Sequence, residues 1–198
     1  KIKNTQHRGD VGSVWGKIKD WFCQTHKEEA KRLLHDVYNT KNTDSDRINS
    51  FSKLQNLVEL KESRNNFKME LKEGKVQLTV LDIVISKSLD LPEIPGINEK
   101  DKTEAKTLLF DVYDANKSDS DRIMSFSKLQ DLASPKPDSN FNIKLNQDNV
   151  QLTISNIIDI KIKQPEDAEG AADILKNLNR YKDQTTEQRR QIFEHDII

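Results

Sequence analysis

One module occurs twice in this chain, and that duplication limits what it can fold into. Glu29-Ala30-Lys31, Leu33-Leu34 and Asp36-Val37-Tyr38 return 75 positions later as Glu104-Ala105-Lys106, Leu108-Leu109 and Asp111-Val112-Tyr113. Asp44-Ser45-Asp46-Arg47-Ile48 returns as Asp119-Ser120-Asp121-Arg122-Ile123, and Ser50 to Gln55 returns as Ser125 to Gln130. Between Glu29 and Leu57, 20 of 29 positions are identical. Val76-Gln77-Leu78-Thr79 returns as Val150-Gln151-Leu152-Thr153 at offset 74, so one deletion lies between. Similarity at a fixed period marks duplicated structural units. This period exceeds the usual solenoid range, and two copies do not make an array. The expected product is two small globular modules.

The hydrophobic period sets the content of each module. Trp15, Ile18, Trp21 and Phe22 fall at helical spacing, which predicts an aromatic helix over 13–23. Thr25 with Glu28 reads as a capping box for a second helix, whose apolar stripe is Ala30, Leu33, Leu34, Val37 and Tyr38. Asp44 or Ser45 is the expected cap of a third, carrying Ile48, Phe51, Leu54 and Leu57. The period then switches to two. Phe67, Met69 and Leu71 alternate with charged residues, Glu73-Gly74 reads as a hairpin turn, and Val76, Leu78 and Val80 form the return strand. Ile83 and Ile85 suggest a third strand after a bulge or turn at Leu81-Asp82. Pro92 and Pro95-Gly96 mark the junction.

The second copy repeats the plan. Helices are expected near 101–113 and 120–133, the latter stopped by Pro135 and Pro137. Strands centre on Phe141-Ile143-Leu145, Val150-Leu152-Ile154 and Ile158-Ile160-Ile162, with Gln147-Asp148-Asn149 as the first turn. Nothing like the aromatic helix precedes it. In the tail, Ala171, Ile174, Leu175 and Leu178 suit one helix, and Thr185 with Gln188 opens another carrying Ile192 and Phe193. The expected fold class is therefore α+β. Two tandem repeats span 1–91 and 92–164, each with two to three helices followed by an antiparallel sheet of about three strands. A helical tail covers 165–198.

Composition narrows the function classes. Hydrophobic residues make up 34% of the chain and charged residues 33%, which implies small cores and a heavily solvated surface. A net charge of −1 supplies no field for nucleic acid. No apolar run is long enough to span a membrane. The single Cys23 excludes an internal disulfide framework and suits a reducing compartment. The chain opens at Lys1 with no apolar signal region, which reads as a trimmed start with any N-terminal address out of view.

No catalytic constellation emerges. The chain lacks a G-x-S-x-G elbow, a Gly-rich phosphate loop and an H-E-x-x-H helix. Asp114-x-Asn116-x-Ser118-x-Ser120 resembles the start of a calcium loop, but its sixth and twelfth positions are Asp119 and Ser125 rather than Gly and Glu. The four histidines, His7, His26, His35 and His195, are not paired at metal-ligand spacing. Cys23 reads better as a small buried hydrophobe than as a reactive thiol; His26 lies three residues on, without a third orienting group. The duplicated Asp46-Arg47 and Asp121-Arg122 read as acidic first turns favouring the helix dipole, with Arg bridging to a neighbouring acid. The chain is thus read as non-enzymatic, with no cofactor and no metal.

The segment Val14-Trp15-Gly16-Lys17-Ile18-Lys19-Asp20-Trp21-Phe22-Cys23-Gln24-Thr25-His26 resembles the W-E-K-[I/L]-x-x-F-F motif of Salmonella-type type III secreted effectors. In that family a helix of pattern T-H-x-x-E-A follows, here Thr25-His26-Lys27-Glu28-Glu29-Ala30. A later F-x-x-L-x-x-L-A-x-P pattern is matched by Phe51 to Leu57 and more fully by Phe126 to Pro135. The likeness covers about 14–88, and 101–163 without the motif helix. Gly16 replaces the usual Glu, Trp21 replaces Phe, and the tandem second copy departs from the family pattern.

The resemblance implies secretion by a type III system into a host cell, in the cytosol or at an endomembrane surface. It implies host proteins as partners, and a bacterial secretion chaperone or apparatus during export; peripheral association with a host membrane stays open. Trp15, Lys17, Ile18, Trp21 and Phe22 are the implied translocation or partner residues. An alternative is the targeting half of a larger effector enzyme whose catalytic domain lies outside this chain. A structural or chaperone-like repeat protein without export is a further alternative.

Overall fold

The first helix, α1 (Gln6–Ile18), carries three glycines, Gly9, Gly12 and Gly16. Val11, Val14 and Ile18 are buried on one face, with Trp15 beside them half-buried, which is the helical i, i+3, i+4, i+7 stripe. This computed structural model describes residues 6–133, 141–146, 149–167, 169–176 and 178, with 6–10 as backbone alone. The aromatic helix expected over 13–23 is corrected here: α1 ends at Ile18, Lys19–Trp21 form a 3-10 turn, and Phe22 is extended at φ −107°, ψ 139°. Trp21 and Phe22 therefore lie off the helix, and the buried stripe begins earlier, at Val11.

A second 3-10 turn, Gln24–His26, leads into α2 (Lys27–Tyr38). The expected Thr25 capping box is absent, since the helix is entered through His26 with no side-chain cap. Glu28 and Glu29 still place negative charge at its first turn. Ala30, Leu33, Leu34, Val37 and Tyr38 are buried as the stripe predicts. Next comes α3 (Asp44–Leu57), which packs on α2. Its cap is Thr43, one residue earlier than expected. The Thr43 hydroxyl accepts from the Asp46 N–H at 3.1 Å and donates to the Asp46 carboxylate at 2.7 Å. Asp44 instead accepts the Asp90 N–H at 2.8 Å, at the far end of the sheet. Arg47 is buried and donates from Nε to the Val37 carbonyl at 2.8 Å, so it serves the C-terminal turn of α2 rather than a neighbouring acid. Burial holds its guanidinium below the usual range, partly offset by Asp44. Arg122 in the second copy does meet an acid, Asp119, at 3.8 Å.

A short helix α4 (Lys61–Arg64) precedes a three-stranded antiparallel sheet of β1 (Phe67–Lys72), β2 (Lys75–Val80) and β3 (Ile83–Asp90), in that order. The first hairpin pairs Lys72 with Lys75, and its two turn residues, Glu73 and Gly74, have φ of 52° and 75°. That double positive φ is why glycine follows Glu73 here. Leu81 and Asp82 repeat the device, at 51° and 62°, without glycine. The third strand departs from expectation: two register shifts against β2 break its alternation, and Ile83 is 37% exposed.

In the second copy α5 (Lys102–Tyr113) and α6 (Asp119–Ala133) are followed by β4 (Phe141–Asn146), β5 (Asn149–Ile154) and β6 (Ile158–Lys163). This sheet has the same order, an unbroken register and strict alternation in β6. Leu145, expected inward, is 47% exposed at the end of β4. A helical stretch over 169–176 is capped by Asp167, whose carboxylate accepts the Gly170 N–H at 2.8 Å and the Ser120 hydroxyl. Ile174 is buried there and Leu175 is exposed. Pro135, Pro137, the Gln147-Asp148 part of the turn, and the helix expected from Thr185 lie outside the described residues.

The fold is α+β. Two compact units form: Lys1–Glu93 with Leu109–Ser118, and Ile94–Leu108 with Asp119–Ile198. Within the first unit, the Ser52 hydroxyl donates to the Tyr113 carbonyl, and the Ala115 N–H donates to Gln55 Oε1 at 3.3 Å. Asp114, the first position of the calcium-like segment, accepts from the Asn116 N–H at 3.0 Å in an Asx turn.

Glycine substitutions test the backbone assignments. A Cβ at Gly12 or Gly16 meets nothing within 4 Å, so Gly12→Ala and Gly16→Ala are each expected to stabilise the chain by about 0.5–1 kcal/mol in urea unfolding. Gly96 has φ 88°, and a Cβ there sits 3.2 Å from the Ala133 carbonyl oxygen; Gly96→Ala is expected to cost about 1–2 kcal/mol.

Asp167 gives a pH signature. The Gly170 N–H, then the Ser120 hydroxyl, hold its carboxyl below the usual range. A depressed carboxyl stabilises the fold above its unfolded pKa, and that contribution is lost as pH falls through the folded value. Asp167→Ala should lower the melting temperature at pH 7, and the difference from the parent should shrink as the pH falls through the acid range.

Candidate functional site

Trp21 and Phe22 pack on one residue of the sheet, and Trp15 joins them through Phe22. Phe67, the first residue of β1, is fully buried. Its ring meets Trp21 at 5.9 Å, Phe22 at 6.2 Å and Phe51 at 6.2 Å between centroids, all edge-on. Trp15 stacks on Phe22 at 6.0 Å. Edge-on and offset pairs suit the aromatic quadrupole and add about 0.5–1.5 kcal/mol each beyond the area they bury. The Phe67 carbonyl is engaged as well, accepting from Gln55 Nε2 at 2.9 Å and Asn116 Nδ2 at 2.8 Å.

This geometry divides the five implied motif residues. Ile18 and Phe22 are buried and belong to the core of the first unit. Lys17 is exposed, and Trp15 and Trp21 are half-buried, each with one side on the ring cluster and the rest open to solvent. The second unit keeps the equivalent pair, Phe126 on Phe141 at 5.4 Å, without any counterpart of the rings of Trp15, Trp21 and Phe22. A core ring pair is therefore common to both copies, and the additional rings belong to the first alone.

The same segment places Cys23 and His26 together. A 3-10 turn has three residues per turn and eclipses positions i and i+3. The His26 N–H closes that turn on the Cys23 carbonyl at 3.0 Å. Cys23 Sγ then lies 2.9 Å from His26 Nδ1, and 3.1 Å from the Thr25 hydroxyl. Cys23 is half-exposed, which corrects the reading of a buried small hydrophobe. Glu59 joins them: one ligand atom from each of Cys23, His26 and Glu59 lies within 4.8 Å of the others. The helix hairpin explains its arrival. A short loop joins α2 to α3, so the chain after α3 returns to the start of α2. Arg64 fixes the exit by donating to the Val58 carbonyl from Nη2 at 2.8 Å and from Nε at 3.3 Å.

Sequence reasoning missed Glu59, because nothing local links it to Cys23. It also missed the buried polar pair Ser52 and Gln55, although both recur, as Ser127 and Gln130, on the buried face of the equivalent helix. Among the described residues, no helix is long and apolar enough to cross a membrane. No protein-family description, no curated protein and no solved structure matches the chain.

The division of the motif residues predicts unequal stability effects. Phe22→Ala empties a buried ring site and is expected to cost about 3–5 kcal/mol. Trp15→Ala leaves a partly solvated site and should cost about 1 kcal/mol. Denaturant unfolding of the two variants checks the contrast.

Proposed function

We propose that this chain is a type III secreted effector, or the N-terminal part of one, that acts inside a host cell by binding protein. The observation that carries the reading is the solvent-facing half of the motif segment. Trp15 and Trp21 each keep part of an indole at the surface, flanked by exposed Lys17. These are the only tryptophans in the chain. The second unit closes its ring pair without them, so a fold of this type does not need large half-solvated aromatics at that place. Tryptophan and a basic neighbour at the surface are what a binding hot spot requires: a large apolar face with a polar rim. The segment's resemblance to the effector motif supports export and host-side localisation. The absence of any nucleophile elbow or phosphate loop supports binding over catalysis. Two related modules in one chain also suit engagement of two sites, where tethering raises apparent affinity through effective concentration.

The test separates folding from function. Trp15→Ala combined with Lys17→Glu leaves the buried Ile18 and Phe22 in place. The double variant is expected to unfold within about 1–2 kcal/mol of the parent while losing delivery, or host localisation, in a translocation reporter assay. Against a purified host partner, loss of a hot-spot tryptophan should weaken binding by about 30-fold, the equivalent of roughly 2 kcal/mol. Unchanged delivery together with unchanged localisation would return the segment to a purely structural role.

A further inference from the structure

We infer that Cys23, His26 and Glu59 form a binding site for a divalent transition metal, Zn2+ in the first instance, with a fourth position open to water. The donor set is a thiol sulfur, an imidazole nitrogen and a carboxylate oxygen, all within 4.8 Å of one another. Thiolate and imidazole together select zinc over calcium or magnesium, which take oxygen ligands. Three protein ligands with one vacancy is the pattern of an open zinc site.

The sulfur–nitrogen distance fits with little movement. Zinc bonds of about 2.3 Å to sulfur and about 2.0–2.1 Å to nitrogen, at a tetrahedral angle, put S and N about 3.5 Å apart. Cys23 Sγ and His26 Nδ1 stand at 2.9 Å, so a small side-chain rotation of about 0.6 Å replaces their contact by two metal bonds. The backbone is held: the 3-10 turn fixes Cys23 against His26, and Arg64 fixes the turn before Glu59. Entry is open, because Glu59 is exposed and the other two are half-exposed.

The fold does not require these residues. In the second unit the matching turn, Glu99–Asp101, begins at Asn98 with φ −69° and ψ 151°, against −62° and 157° at Cys23. The Asp101 N–H closes it on the Asn98 carbonyl at 3.0 Å, as His26 does on Cys23. At the 75-residue offset, Cys23, His26 and Glu59 correspond to Asn98, Asp101 and Ser134. The same backbone turn forms with neither thiol nor imidazole, so the ligand set is an addition specific to the first copy. Binding releases the Cys23 thiol proton to solvent, and apparent affinity therefore rises with pH.

The experiment titrates the reduced, untagged full chain with Co2+ and with Zn2+. The expected result is one tight site per chain. Its Co2+ form should show a near-ultraviolet thiolate-to-cobalt charge-transfer band and the strong visible bands of tetrahedral cobalt. Cys23→Ser should abolish the charge-transfer band. Glu59→Gln, at an exposed position that leaves folding intact, should weaken Zn2+ binding by at least about tenfold, while His35→Ala changes nothing. A parent chain without the charge-transfer band, or Cys23→Ser and Glu59→Gln variants that hold Zn2+ as tightly as the parent, overturns the site. The three side chains would then be only a hydrogen-bonded surface cluster.

Discussion

The first unit depends on Phe67. Its ring receives Trp21, Phe22 and Phe51, and its carbonyl receives two side-chain amides. One residue thus joins the segment after α1 to α3, to β1 and to the loop after α5. The amides matter because β1 is an edge strand whose Phe67 carbonyl faces away from β2, and a buried carbonyl left without a hydrogen bond costs about 1–3 kcal/mol. Gln55 and Asn116 supply the bonds from side chains. In the second unit the ring pair recurs as Phe126 on Phe141. The pair is common to both copies; around Phe67 the further rings Trp21 and Phe22 come from the first copy, and Asn116 comes from the loop after α5 of the second.

That division reframes the motif segment. A stretch read as one amphipathic helix would point all its aromatics the same way. Ending α1 at Ile18 rotates the chain instead, so that Phe22 enters the core while Trp15 and Trp21 straddle its edge. The segment can then hold the fold and present a surface at once, with different residues doing each. Trp15 stacking on Phe22 links the two roles, since the position of the exposed indole follows from the buried ring.

Much of the fold was legible because its periods are strong. The α2 stripe, the α5 and α6 spans and the alternation of β1, β2 and β6 follow from apolar spacing alone. The end of α1 was not legible: Gly16 stands inside its last turn rather than just past its end, and the chain leaves the helix where Phe22 turns in to Phe67. The register shifts in β3 were equally hidden, since Ile83 and Ile85 alternate in sequence whether or not the ladder is regular. Thr43 was overlooked as a cap because two other good capping residues, Asp44 and Ser45, follow it, although Thr43-x-x-Asp46 is a capping-box spacing with Asp in place of Glu. Two of the three cluster residues, Cys23 and His26, stand close together in the sequence. The third needed the helix hairpin to bring Glu59 back, a tertiary event with no local signature.

Duplication also shows how chemistry can be added to a scaffold without disturbing it. The 3-10 turn before the long helix has nearly the same dihedral angles in both copies and the same closing hydrogen bond. Its first residue needs only an extended backbone, and its fourth needs only an N–H to give. Asn98 and Asp101 meet those demands in one copy, Cys23 and His26 in the other. Because the backbone geometry is set by the turn, side chains at its first and fourth positions are free to vary while staying eclipsed. The same freedom applies at Glu59, just past the capped end of α3, where the side chain is exposed and no packing depends on it. Three positions that the fold leaves unconstrained therefore converge on one spot, and only in the first copy do all three carry groups able to ligate a metal.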